Sequence, residues 1–177
     1  MSLFIGREDV YAKRWYSTKT EKSGYQPVCG NEWSEVCNKQ KYKCNNCPNR
    51  KLLPLDSKAI YAHLSGNDKY GRDVIGIYPL LTDETCRFLA VDFDDEDFEK
   101  ASIAFKNTCQ QSNIPAYIER SRSGSGAHVW IFFSEPIEAA VARKLGSGLL
   151  TLAMENQSGI KFTSYDRLFP NQDTMPK

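Results

Sequence analysis

The sequence predicts a mixed α+β domain with the element order β-α-β-β-α-β over residues 52–177, behind a basic, cysteine-rich region at 1–51. Three observations carry this. Apolar, strand-like runs recur at 87–94, 114–122 and 127–134. Helical spacing of apolar residues follows the first and third of them. Four of the six cysteines crowd into Cys29–Cys47, before the globular composition begins at Leu52.

Each element has its own justification. Residues 1–28 are polar and aromatic, with Tyr11, Trp15, Tyr16 and Tyr25 and weak periodicity. Residues 87–94 are rich in Phe, Leu and Val, and read as a buried strand. Phe98, Ala101, Phe105 and Cys109 lie at helical spacing and predict a helix over 95–112. Residues 114–122 and 127–134 read as the second and third strands. Ser134-Glu135-Pro136 reads as a helix start with proline in the first turn. Ile137, Val141, Leu145, Leu149 and Leu152 then share one face, and Gly146 and Gly148 weaken the middle of that helix. Residues 160–168 are expected to form a fourth strand. This order is that of the ferredoxin-like or RNA-recognition-motif arrangement. Its first and third strands are central neighbours. Asp92 and Asp94 share a face, because strand side chains alternate with period two. His128, at the start of the third strand, is expected near the same end.

Composition narrows the options. The chain has 177 residues, 41% of them hydrophobic, which supports a core, and a net charge of +1, which advertises no general nucleic-acid field. The charge is unevenly spread: residues 1–60 hold 11 Lys+Arg against 6 Asp+Glu, and the remainder is acidic. No run is apolar enough for a membrane span, and the start lacks a secretory signal, so no membrane partner is expected and a cytoplasmic location is the default. The abrupt end at Met175-Pro176-Lys177 reads as that of a fragment of a longer protein, with the catalytic core truncated before a further strand.

Cys29, Cys37, Cys44 and Cys47 have the spacing C-x7-C-x6-C-x2-C. The final pair forms a knuckle suited to a structural, tetrahedral Zn²⁺, which would supply the folding energy this polar segment lacks. Unpaired or disulfide-linked cysteines are the alternative. Cys86 and Cys109 sit in apolar patterns and read as core. His63 is a weaker candidate ligand.

Asp92 follows an apolar run, where an ionised carboxylate needs a partner. With Asp94 it offers the oxygen ligands that Mg²⁺ or Mn²⁺ takes. A surface acidic loop is the plainer reading, and Asp95, Glu96, Asp97 and Glu99 read as an acidic helix start. In "ERSRSGSGAHVW", Gly124 and Gly126 allow a tight turn whose amides can face a phosphate. Arg120 and Arg122 add charge suited to a triphosphate, and His128 adds a donor. A flexible hairpin turn is the alternative. In "SYDRLFPNQDTMPK", Asp166 and Asp173 are both candidates for a further metal-binding carboxylate.

Taken together, Asp92-Phe93-Asp94, Gly126-Ala127-His128 and a later lone acid resemble the catalytic motifs of the archaeo-eukaryotic primase superfamily. "FIGREDVYAKRW", "GYQPVCGNEW", "GIYPLLTDETCRFLAVDFDD", "SGSGAHVWIFF" and "SYDRLFPNQD" are most similar to the primase domain of TOTE conflict systems and to CRISPR-associated primase-polymerases. The resemblance implies a primase-polymerase that makes or extends primers by metal-dependent nucleotidyl transfer. It implies catalytic Asp92, Asp94 and Asp173 on Mg²⁺ or Mn²⁺, with Asp166 as the rival third acid, and His128 on the triphosphate. Arg120, Arg122, Ser123, Ser125 and Gly126 complete the expected nucleotide set. The family often has Ser two before the His; here Gly126 stands there, so a backbone amide takes that place.

The expected partners are nucleoside triphosphates, a single-stranded DNA or RNA template, and helicase or nuclease modules of the same system. Trp15, Tyr16 and Trp33 are candidates for stacking on unpaired bases. Two alternatives compete: a zinc-containing single-strand-binding module with an inactive catalytic site, and a metal-dependent nuclease.

Overall fold

The computed structural model describes residues 3–94, 96–156 and 165–175. The chain divides into two compact units, Arg7–Tyr78 and a second made of Met1–Gly6 with Pro79–Lys177.

The Arg7–Tyr78 unit carries strands β1 (Ala12–Tyr16) and β2 (Ser23–Pro27), helix α1 (Ser57–Ser65) and the short β3 (Ile75–Gly76). They form an antiparallel sheet in the order β2-β1-β3. Between β2 and α1 the cysteine-rich segment has only one turn of 3-10 helix, Cys44–Asn46, and an isolated bridge pairs Cys29 with Leu52. α1 starts where the Asp56 carboxylate accepts from the Ala59 amide at 2.8 Å. It stops at Gly66, whose φ of 60° is the left-handed conformation glycine adopts most readily.

The Pro79–Lys177 segment forms a four-stranded antiparallel sheet with two helices. Its elements are β4 (Thr85–Phe93), α2 (Phe98–Gln111), β5 (Tyr117–Arg120), β6 (Ala127–Glu138), α3 (Ala139–Asn156) and β7 (Arg167–Phe169). The sheet order is β5-β6-β4-β7. β4 and β6 are central, with Leu89 opposite Ile131, Val91 opposite Val129 and Asp92 opposite His128. Alternation then divides the sheet. Leu89, Val91, Phe93, Val129, Ile131 and Leu168 point to one face and are buried with Ala101, Phe105 and Cys109 of α2 and Leu149 and Ala153 of α3. The other face carries Asp92, His128, Trp130 and Phe132, with Phe88 in edge and tilted contact with the last two.

Several element boundaries differ from the expectation. The helix start expected at Ser134-Glu135-Pro136 is strand: β6 runs on to Glu138, and α3 begins at Ala139. The register shifts between Phe88, opposite Phe132, and Cys86, opposite Ile137. The extra β6 residues fall in that irregular stretch, where Pro136 has no ladder bond to supply. β5 covers only Tyr117–Arg120, an exposed edge strand. α2 starts at Phe98, three residues later than expected, and Asp95 lies outside the described residues. Most of the expected fourth strand (160–164) also lies outside them, and the described part pairs as β7. Gly146 does not interrupt α3. A Cβ there would stand 2.8 Å from Leu89 Cδ2 and 3.0 Å from Leu168 Cδ2, so its absence lets α3 approach the sheet closely. Among the described residues, no helix is long and apolar enough to cross a membrane.

Candidate metal and nucleotide site

The sheet's apolar face has a consequence at the far end of β4. Asp92 must alternate away from the core, and it emerges between two neighbouring strands. His128 is opposite it on β6 and Arg167 is opposite it on β7. The next residue on β4 to share this side is Asp94, just past the strand end. The Asp166 amide donates to the Asp92 carbonyl at 3.0 Å, which fixes the entry to β7 beside β4. One carboxylate oxygen from each of Asp92, Asp94 and Asp166 therefore lies within 4.8 Å of the others. Among the described residues this is the one group of three or more His, Cys, Asp or Glu ligand atoms so close together.

The cluster is electrostatically uncomfortable by itself. Burial pushes the Asp92 carboxyl above its ordinary range, and Asp94 and Asp166 push it the same way, while His128 and Arg167 oppose them. Arg167 donates to Asp166, and that bond raises its own already high pKa. His128 Nε2 is 3.4 Å from Asp92 Oδ1. Three oxygens at this spacing fit a hard divalent cation, which holds its ligands about 2.0–2.6 Å from its centre.

Gly126 is part of the same construction. A Cβ there would stand 2.5 Å from Asp94 Oδ1 and 2.9 Å from the Phe93 carbonyl oxygen. The preceding turn is closed by bonds from the Ser121 amide to the Gly126 carbonyl and from the Gly124 amide to the Ser121 carbonyl, both 2.9 Å. Gly124 has φ 80°, the left-handed turn position expected of glycine. The Ser123 hydroxyl is 3.0 Å from that of Ser121 and accepts from the Ser125 amide at 3.3 Å, so it braces the turn. Arg122 and Ser125 are exposed on it.

Two sequence candidates are placed elsewhere. Arg120 pairs in register with buried Ala127, on the helix side of the sheet. Its guanidinium lies 3.3 Å from Glu99 and over the Phe98 ring, and its Nε donates to the Gly124 carbonyl at 3.1 Å. Asp173 is held by Arg143, Nε to Oδ1 at 2.6 Å, and is not in the carboxylate cluster; Asp166 is. Residue-by-residue reading missed Arg167 and Glu119, both of which face the site. Glu119 is opposite His128 in the β5–β6 register, and its Oε2 lies 3.4 Å from His128 Nδ1. The spacing of a short hairpin about residues 121–126 was the available signal for Glu119. Adjacency to Asp166 was the signal for Arg167.

In the other unit, Cys29, Cys37, Cys44 and Cys47 are unpaired and line one cavity. The Lys51 amide donates to Cys29 Sγ at 3.3 Å. No three of the four sulfurs approach within 4.8 Å of one another. His63 lies on α1, with a buried Nδ1 that has no hydrogen-bond partner. Trp33 is 80% exposed, with the Lys39 ammonium 3.8 Å from its ring centroid. Tyr16 is stacked on Tyr70 at 5.2 Å, and Trp15 packs over Gly24.

An antiparallel sheet backed by two helices, with three carboxylates gathered at one strand end, defines an α+β domain with an acidic cluster at metal-ligand spacing. The chain belongs to one particular family of such domains, the TOTE conflict system, Archaeo-Eukaryotic Primase domain, whose model matches residues 1–177. Membership makes primase-like nucleotidyl transfer the class of activity the chain's family suggests. No curated protein matches the chain.

Proposed function

We propose that the domain is a metal-dependent primase-polymerase, with Asp92, Asp94 and Asp166 as its metal-binding acids. The observation that carries this is the three-carboxylate cluster beside His128, in a chain of this family. The sheet order β5-β6-β4-β7 and the β-α-β-β-α-β succession support a ferredoxin-like core. Mg²⁺ or Mn²⁺ on those acids would supply activation of a primer 3′-hydroxyl and stabilisation of the leaving oxygen. The remaining work falls to the chain's own groups. Asp92, held half-buried by β4, fixes the position of the cluster. His128 offers Nε2 to a phosphate oxygen arriving beside Asp92. Arg167 and Arg122 add positive charge near the place where a triphosphate's charge accumulates.

The same proposal assigns Cys29, Cys37, Cys44 and Cys47 to a structural Zn²⁺. Their common cavity and the amide-to-sulfur bond at Cys29 support it. Trp33, Lys39, Lys41 and Lys43 on that loop would hold single-stranded template, by stacking and phosphate contact. A binding module with an inactive site is the competing reading, and three acids at ligand spacing weigh against it.

The deciding experiment is incorporation of labelled nucleotide on single-stranded DNA and RNA with Mn²⁺ or Mg²⁺. We expect incorporation by the wild type and loss in Asp92→Ala/Asp94→Ala. Incorporation that persists in the double variant would overturn the assignment; template binding without any incorporation would favour the alternative.

A further inference from the structure

Glu119 has no role in the carboxylate cluster, yet the fold places it with care. It opens the "ERSRSGSGAHVW" stretch and is opposite His128 across the β5–β6 hairpin. Its side chain is 54% exposed, so burial does not explain its position. What fixes it is the indole of Trp130, whose Nε1–H donates to Glu119 Oε2 at 2.8 Å. That same oxygen lies 3.4 Å from His128 Nδ1. The other ring nitrogen, Nε2, lies 3.4 Å from Asp92 Oδ1. The His128 and Trp130 rings also meet edge to face, with centroids 5.9 Å apart. A continuous row therefore runs from Trp130 through Glu119 and His128 to the first metal-binding acid.

We propose that Glu119 is a positioning residue: anchored by the Trp130 indole, its carboxylate orients the His128 ring through Nδ1 and so turns Nε2 toward the phosphate side of the site. The physical reason is general. An imidazole has two distinct nitrogens, and a carboxylate on one fixes the ring's orientation and the chemistry of the other. Such contacts are often long before substrate arrives and shorten with it. Exposed as it is, Glu119 would wander across rotamers without the indole bond. Trp130 supplies the missing rigidity from a strand interior. This proposal rests on the reading of the site as a triphosphate site for its consequence, but not for its geometry.

The experiment therefore has two arms, both on the full chain. In the first, ¹⁵N-resolved NMR observes the imidazole groups. The chain has two histidines, and a His63→Gln variant assigns them. We expect the His128 Nδ1 signal to move in Glu119→Ala and to move less in Trp130→Phe. Unchanged His128 signals in Glu119→Ala would overturn the proposal. In the second arm, primer extension is measured in a double-mutant cycle. Glu119→Ala should lower kcat/KM about 10–100-fold, the usual cost of losing such an outer partner. Glu119→Gln, which keeps an acceptor, should recover most of it. In a His128→Ala background, Glu119→Ala should change kcat/KM less than about twofold. An equal loss in both backgrounds means Glu119 acts without His128, and overturns the proposal. If no variant, nor the wild type, incorporates nucleotide, the primase reading falls while the NMR arm still decides whether Glu119 positions His128.

Discussion

At the scale of single residues, the site is decided by which side chains alternation sends to the open face. Asp92 and His128 were legible, because both lie on strands whose apolar neighbours give the phase. The third acid was not. Asp166 and Asp173 are seven residues apart in a polar segment, and the sequence reading leaned to Asp173. Pairing of β7 with β4 carries Asp166 to Asp92, while Arg143 holds Asp173. Replacing Asp166 with Ala should therefore lower nucleotide incorporation by at least about 100-fold, the upper end of what outer partners of a metal already cost. Replacing Asp173 with Asn should leave incorporation in place and cost about 1 kcal/mol or less in urea unfolding, as expected of an exposed ion pair. Gly126 makes a sharper point. A methyl group there meets Asp94 Oδ1 at 2.5 Å, so Gly126→Ala must displace the carboxylate or the turn. Titration with Mn²⁺, followed by calorimetry, should show affinity reduced by about tenfold or more, together with a loss of thermal stability because the Phe93 carbonyl oxygen at 2.9 Å must also give way; unchanged affinity would remove Gly126 from the metal site.

At the scale of elements, α2 and the apolar phase of the central strands followed their periodicity, and the edges and α3 did not: Ile137 of the expected helix face lies in β6, and Val141 and Leu152 are exposed. β4 is apolar on both sides of its pleat and was legible at once. β5 is exposed along its length, so its limits are set by the partner strand and not by its own composition. α3 is the instructive case. Gly146 and Gly148 look alike in sequence and carry the same cost of about 1 kcal/mol each in a helix interior. Only the structure separates them. Gly146 faces Leu89 and Leu168 at contact distance, whereas a Cβ at Gly148 meets nothing within 4 Å. Gly148→Ala should stabilise the domain by about 0.5–1 kcal/mol, since the helix gains and nothing clashes. Gly146→Ala should destabilise it by roughly 1–3 kcal/mol through overpacking. Chemical denaturation of the two variants reads both signs in one experiment; the same sign for both would contradict this packing of α3.

At the scale of the whole molecule, two compact units share one chain and differ in what holds them together. The unit with β4 to β7 has a continuous apolar core. In the Arg7–Tyr78 unit the cysteine-rich segment has little secondary structure, and its four cysteines lie about one cavity. The six thiols should accordingly fall into two classes. Burial pushes Cys86 and Cys109 up to about 11, so neither offers a thiolate at neutral pH. Native protein treated with chelator should lose about one equivalent of zinc, and four thiols should then react with an alkylating reagent while Cys86 and Cys109 resist until unfolding. Protein purified without zinc, with four thiols already reactive, would leave the cysteine cavity with no metal role.

The sequence by itself determined the α+β class, the family, the phase of the central strands and the pairing of Asp92 with His128. These follow from alternation and local spacing, which a chain carries in its own order. The tertiary structure alone decided that Asp166 joins the acids, that Arg120 turns to the helix side, that Glu119 and Arg167 face the site, and that Gly146 is a contact and Gly148 is not. Each of those depends on which strand lies beside which, and at what register, through contacts between residues far apart in sequence. No local periodicity encodes them.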